Sequence, residues 1–186
     1  MKHRSVLISI VIHPRTPRFV SIPIANRLFA FELLRVSVLP TVAADVKIAA
    51  DSAIIARLDS ISSGERIALA RQGSTRLAGA LLNDPEPHII EAALDNPRMT
   101  EVEIVKALKL EQVSQSLIAL VCEHKKWSLR TEIQVEVLKA AHTPLAKAIV
   151  MAEKLPPSTV TDVLKNSRLP AHVRAYLLEM QVRRKG

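Results

Sequence analysis

The chain repeats part of itself. Shifted by 127 positions, residues 16–54 lie on residues 143–181 without a gap. Thr16-Pro17 then meets Thr143-Pro144, Ile22 meets Ile149, Ala25 meets Ala152 and Leu28 meets Leu155. Val36 meets Val163, Ala44 meets Ala171 and Val46 meets Val173, while Arg27 and Lys47 meet Lys154 and Arg174. Identities at small and apolar positions are what a shared packing solution requires. A second offset, 44, brings Ile89 onto Ile133, Leu94 onto Leu138 and Val105 onto Ile149. Asn96-Pro97-Arg98 echoes His13-Pro14-Arg15, 83 positions earlier. Punctuation therefore recurs near 13–17, 96–100 and 140–144, in steps of about 42 residues, a period typical of helical-repeat arrays. The units run approximately over 1–57, 58–95, 96–140 and 141–186 of one domain, with a degenerate junction near 56–62.

Local signals inside those units are helical. Thr16-Pro17 and Thr143-Pro144 each offer a hydroxyl at an N-cap and a proline at the first helical position. Ser62-x-x-Glu65 and Thr100-x-x-Glu103 have the spacing of capping boxes, and Ser74 and Ser128 are further N-cap candidates. Stops fall at Gly73, Asn83-Asp84-Pro85, Asn96-Pro97 and Pro156-Pro157. Between them apolar residues step by three and four, as in Val102, Val105 and Leu108 or Val173, Leu177 and Met180. With only 4 glycines among 186 residues and 3% aromatics, sandwiches and barrels lack their turn and strand-pair residues. The pattern predicts about eleven or twelve helices of roughly 8–14 residues, each too short to be stable unpacked.

Charge is uneven. The total is +8, but residues 51–123 carry 7 basic and 11 acidic side chains, whereas 124–186 carry 12 and 5. A basic surface suits either solubility or a polyanionic partner. Cys122 is the only cysteine, so no internal disulfide forms. The apolar run Val6–Ile12 after Met-Lys-His-Arg is short for a signal peptide and meets no small-residue cleavage site. No stretch approaches the ~20 apolar residues of a membrane span. A cytoplasmic protein is the expectation.

At this point a resemblance is visible. His13-Pro14-Arg15-Thr16-Pro17, Asn96-Pro97-Arg98-Met99-Thr100-Glu101 and Ala141-His142-Thr143-Pro144-Leu145-Ala146 resemble the helix junctions of uncharacterised bacterial HEAT-like repeat proteins. In that group an Asn-Pro-Arg turn precedes a Thr-capped helix and a Leu-Pro-Ala-x-Val-Arg segment comes near the end, here Leu169–Arg174. Trp127-Ser128-Leu129-Arg130 also fits. The resemblance spans about 13–180 and rests on structural motifs. It implies an all-α superhelix, a HEAT/armadillo-like α-solenoid, and a binding role, and it brings no catalytic residue.

Chemistry-bearing residues are few. Cys122 and His124 are two apart, about 200° around a helix, too far round for a nucleophile and its base. His3, His13, His88, His124, His142 and His172 form no zinc spacing. Asp84, Glu86, Glu91, Asp95, Glu101 and Glu103 read as solvated helix faces. Arg15 and Arg98 should bond nearby carbonyls or acids. No cofactor, metal or catalytic group is expected. The cluster that points to a partner is Lys125, Lys126, Trp127 and Arg130. Lysines can neutralise phosphates, an arginine can fork onto one, and an indole can stack on a base. Alternatively, Trp127 plugs the seam between units with its N–H on a carbonyl. The expected function is a non-catalytic scaffold for a protein or peptide partner, with nucleic-acid binding through the basic terminal repeats as the alternative. Val6, Leu7, Ile10 and Val11, apolar at the first repeat, are candidates for self-association.

Overall fold

A computed structural model describes residues 2–184, with side chains from Arg4 onward. Among the described residues there are thirteen α-helices and two 3-10 turns, and no strand. They are α1 (Lys2–Ile12), α2 (Arg18–Ala25), α3 (Ala30–Val38), α4 (Ala44–Ile55), α5 (Ser63–Gln72), α6 (Thr75–Leu81) and α7 (Pro87–Leu94). Then follow α8 (Glu101–Leu108), α9 (Gln115–Glu123), α10 (Thr131–Lys139), α11 (Leu145–Lys154), α12 (Pro157–Lys165) and α13 (Ala171–Arg183). The fold class is the all-helical repeat array that the sequence predicts, with slightly more helices than the eleven or twelve expected.

Each helix stacks on the helix two places away. The odd-numbered helices form one unbroken series from α1 to α13, and the even-numbered ones form another from α2 to α12. Consecutive helices such as α3 and α4, α5 and α6, or α10 and α11 join the two layers. One apolar core runs through the stack from Val11 to Leu177, with Leu33, Ile54, Leu77, Ile90, Ile104, Leu117 and Ile133 fully buried.

The 127-residue offset superposes elements as well as letters. It carries α3 onto 157–165, the span of α12, and α4 onto 171–182, within α13. It carries α2 onto 145–152, within α11. The proposed unit edges at 57/58, 95/96 and 140/141 all fall between helices. From α5 onward each unit holds three helices, so equivalent helices in successive units change layer.

Several caps differ from expectation. Pro17 and Pro144 occupy the N-cap position itself, at φ −60° and −61°, and neither preceding threonine caps the helix. Extended φ and ψ at an N-cap suit proline, whose missing N–H costs nothing there. Thr143 instead turns back and donates to the Val137 carbonyl at 2.6 Å. Thr100 is an N-cap without a side-chain bond, and Glu103 pairs with Lys106 at 2.9 Å instead of closing the other half of the box. Ser128 lies within the 3-10 turn Trp127–Leu129, and Arg130 caps α10. Ser62 and Ser74 cap as expected, at 3.4 Å from Glu65 N and 3.1 Å from Leu77 N. The scarcity of glycine has a backbone counterpart: no described residue has positive φ, so no helix ends in a left-handed cap.

Candidate functional site

Without left-handed caps, the last carbonyls of each helix need other donors. At several helices the chain supplies them from the next helix end in the same layer. Arg57, after α4, donates to the Leu28 carbonyl at 2.9 Å and to that of Asn26, just past α2. Asn96, after α7, donates to Ala70 O at 2.6 Å and Gly73 O at 3.2 Å, at the end of α5. Ser167, after α12, donates to Leu138 O in α10 at 2.8 Å. Arg184, after α13, donates to Ala152 O at 3.0 Å and Glu153 O at 3.2 Å, at the end of α11. Arginine adds a positive charge where the helix dipole is negative. These pins show that helix C-termini within a layer lie side by side, so the helices of a layer run parallel.

Trp127 belongs to this series. It is 2% exposed, and its Nε1–H donates to Leu94 O, the end of α7, at 2.9 Å. His124 holds the turn beneath it: Nδ1 accepts from the backbone N–H groups of Lys126 at 3.1 Å and Trp127 at 3.3 Å. That leaves Nε2 as the proton-bearing atom facing Asp95 Oδ1 at 3.2 Å. Lys126 lies over the indole, 3.9 Å from its centroid. Of the partner cluster, then, Trp127 faces the interior and has no free face for a base. Lys125, Lys126 and Arg130 are exposed.

At the first helix the four apolar candidates divide by helix phase. Val11 is buried and Leu7 packs half-buried on the core, whereas Val6 is 54% exposed and lines a shallow groove of ≈ 370 Å³ with Ile10. Positions four apart share a face, so 7 and 11 turn inward while 6 and 10 stay outside.

A different surface gathers cationic and apolar side chains. Between α3, the end of α5 and the α7–α8 turn lies a groove of ≈ 570 Å³ lined by Phe31, Leu34, Arg35, Val38, Arg71 and Arg98, among others. No carboxylate lines it. Arg98 is fixed by a 3.2 Å bond from Nη1 to Gln72 O, and its backbone N–H is held by Asn96 Oδ1 at 2.7 Å. Arg35 and Arg71 are exposed. Sequence reasoning missed this set, apart from the carbonyl bond of Arg98, because its members are tens of residues apart. They meet only through the stacking of α3 on α5 and the side-by-side C-termini of α5 and α7.

Several titratable groups form ion pairs. The acidic residues noted above separate: Asp84 and Glu86 hold Arg66 at 2.7 and 2.5 Å, Asp95 faces His124, and Glu103 holds Lys106. Glu86 Oε2 also lies 2.7 Å from Ser63 Oγ and 3.0 Å from His88 Nε2, while Ser63 Oγ is 3.2 Å from the same Nε2. Serine and carboxylate thus share one ring nitrogen, whereas a nucleophile–base–orienter relay needs them on opposite nitrogens. The Ser63 hydroxyl, against the cost of burial and with help from Arg66 and His88, holds the Glu86 carboxyl below its usual range. Burial pushes the Cys122 thiol up to about 11, which leaves it a small apolar side chain at neutral pH.

Comparison with family models, with curated proteins and with solved structures finds no match. No described helix is long and apolar enough to cross a membrane.

Proposed function

We propose that this chain is a non-catalytic, HEAT-like helical-repeat scaffold of the cytoplasm that binds a protein or peptide partner on its extended face. The carrying observation is where the aromatic residues lie. In a chain this poor in aromatics, Phe19, Phe29 and Phe31 are 80%, 62% and 46% exposed, and Tyr176 is 49% exposed. Large apolar side chains left in water on a stack that has a complete core elsewhere suit a surface that a partner covers. Selection of a displayed random-peptide library against the folded chain tests the reading. Saturable binders whose hydrogen-exchange footprint falls on the helical face support it. An empty selection, or turnover of a substrate by the purified chain, overturns it.

Nucleic-acid binding is the second reading, favoured by Lys125 and Arg130, which stand exposed near the basic end of the chain. It requires affinity that falls steeply with salt, with a slope of about −0.9 per phosphate neutralised on a duplex. Undetectable binding to DNA and RNA at low ionic strength removes it. Self-association through Val6 and Ile10 is a separate proposal: sedimentation should show a concentration-dependent dimer that Val6→Asp abolishes, and a monomer at all concentrations refutes it.

A further inference from the structure

We propose that the groove between α3, the end of α5 and the α7–α8 turn is the docking site for an acidic segment of a partner protein carrying an apolar anchor residue. This rests on the scaffold reading above and names its site and partner chemistry. The groove has a floor and a rim of different character. Phe31, Leu34 and Val38 fall on one side of α3, at spacings of three and four, and supply the apolar floor. Arg35, Arg71 and Arg98 supply the rim from three separate elements. Three guanidinium groups without a lining carboxylate leave positive charge that nothing in the groove neutralises. Arg98 is already oriented by its bonds to Gln72 O and Asn96 Oδ1, so little side-chain freedom is lost when it takes a carboxylate. Arginine is suited to that task because its fork matches the two carboxylate oxygens.

The same features favour a peptide over a nucleic-acid strand. A strand needs cations continuing along its backbone and aromatic faces for its bases. Here the neighbouring helix ends bring acids in among the bases: Asp95 facing His124, Glu123 paired with Lys147 at 2.5 Å, and exposed Glu153. The next aromatic side chain along this edge, Trp127, is buried. The cationic surface is therefore local, and its floor is aliphatic as much as aromatic.

The internal repeat gives an independent reason to place function here. Phe31 and Arg35 correspond to Ser158 and Asp162 in the second copy. Asp162 there pairs with Lys165 at 2.8 Å. The residues that α3 gives to the groove are ones the two copies do not share, so stacking of this helix does not demand them.

Fluorescence anisotropy on the full chain tests the proposal with three labelled probes. They are a peptide of Glu with Leu and Phe at helical spacing, the same peptide with Gln for Glu, and a single-stranded oligonucleotide. Two variants are compared, Arg35→Glu/Arg71→Glu in the groove and Lys125→Glu/Arg130→Glu outside it, which change net charge equally. The expected result is saturable, salt-sensitive binding of the acidic peptide, weakened at least ~10-fold by the groove pair and little changed by the other. The Gln peptide should bind correspondingly more weakly. Circular dichroism should show both variants folded, since the charge reversals break no described hydrogen bond. Equal loss in both variants, equal binding of the Gln peptide, or binding of the oligonucleotide alone overturns the proposal. Library binders that ignore the groove variant refute the docking site and leave the scaffold reading intact. No binder from either source refutes both.

Discussion

The segments 18–57 and 145–184 are two copies of one three-helix unit, and they agree and disagree in different places. Both begin on a proline N-cap, Pro17 and Pro144. Both end on an arginine that reaches back to the carbonyls closing their first helix: Arg57 takes those of Asn26 and Leu28, and Arg184 those of Ala152 and Glu153. Asn26 and Glu153 are equivalent positions, so the same bond is made twice. Yet the first copy opens in the even layer and the second in the odd layer. They also differ where they face solvent, with Phe29, Phe31 and Arg35 set against Pro156, Ser158 and Asp162. Shared residues hold a helix end to its neighbour whichever layer it occupies, and unshared residues give each copy its own surface.

The largest effect should come from the seam between the copies. Trp127→Ala empties a buried indole site and orphans the Leu94 carbonyl, and should cost about 3–5 kcal/mol in urea unfolding. Trp127→Phe keeps most of the volume and should cost only about 1–2 kcal/mol. If the alanine variant unfolds at the wild-type midpoint, Trp127 is not a pin.

The paired arginines come next. Arg57→Ala removes two carbonyl contacts in the interior of the stack and should destabilise by about 2 kcal/mol. Arg184→Ala removes the equivalent contacts at an exposed helix end and should cost less than ~1 kcal/mol. A larger effect at Arg184 would mean that the two copies are not held in the same way.

Positions 51 and 178 are also equivalent, with opposite environments. Asp51 is 4% exposed, and its Oδ2 accepts from Ser74 Oγ at 2.7 Å. Burial raises its carboxyl above the ordinary value of 3.8, with the Ser74 hydroxyl opposing. The folded chain therefore holds this proton more tightly than the unfolded chain. Stability contributed here falls as pH rises from 3.8 through the raised folded value and is level above it. Asp51→Asn should flatten that slope and raise stability at neutral pH by about 1 kcal/mol, read from urea midpoints across pH. An unchanged slope would show that another group governs it. Leu178, 39% exposed, is the opposite case: Leu178→Asp should shift stability by less than ~0.5 kcal/mol.

The helix junctions were legible because their signals are local. Ser62 with Glu65, Ser74 and Gly73 act within one turn, and the chain follows them. The Thr-Pro and Thr100 caps depart from the local pattern because side chains have other partners within reach: the Thr143 hydroxyl donates to Val137 O, and the Glu103 carboxylate accepts from Lys106. The Arg57–Arg184 equivalence lay three residues beyond the aligned block, where a single matched letter carries no weight without its carbonyl partner. Lys125, Lys126 and Arg130 were conspicuous because they are neighbours in the chain. Arg35, Arg71 and Arg98 were not, because what makes them a set is the stacking of three helices.

By itself the sequence determined where many of the helix junctions fall, that the helices are short and mutually dependent, and that one stretch recurs 127 residues later. Proline, hydroxyl caps and apolar spacing act over a turn or two and need no knowledge of the rest of the chain. Only the tertiary structure decided which layer each copy occupies and which side chains meet at a layer's edge. Equivalent helices of the two copies, such as α2 and α11, are nine places apart, an odd offset, so alternation between layers places them on opposite sides. Contacts between helices two apart bridge some thirty residues, as between Arg184 and Ala152, and no local interaction encodes them.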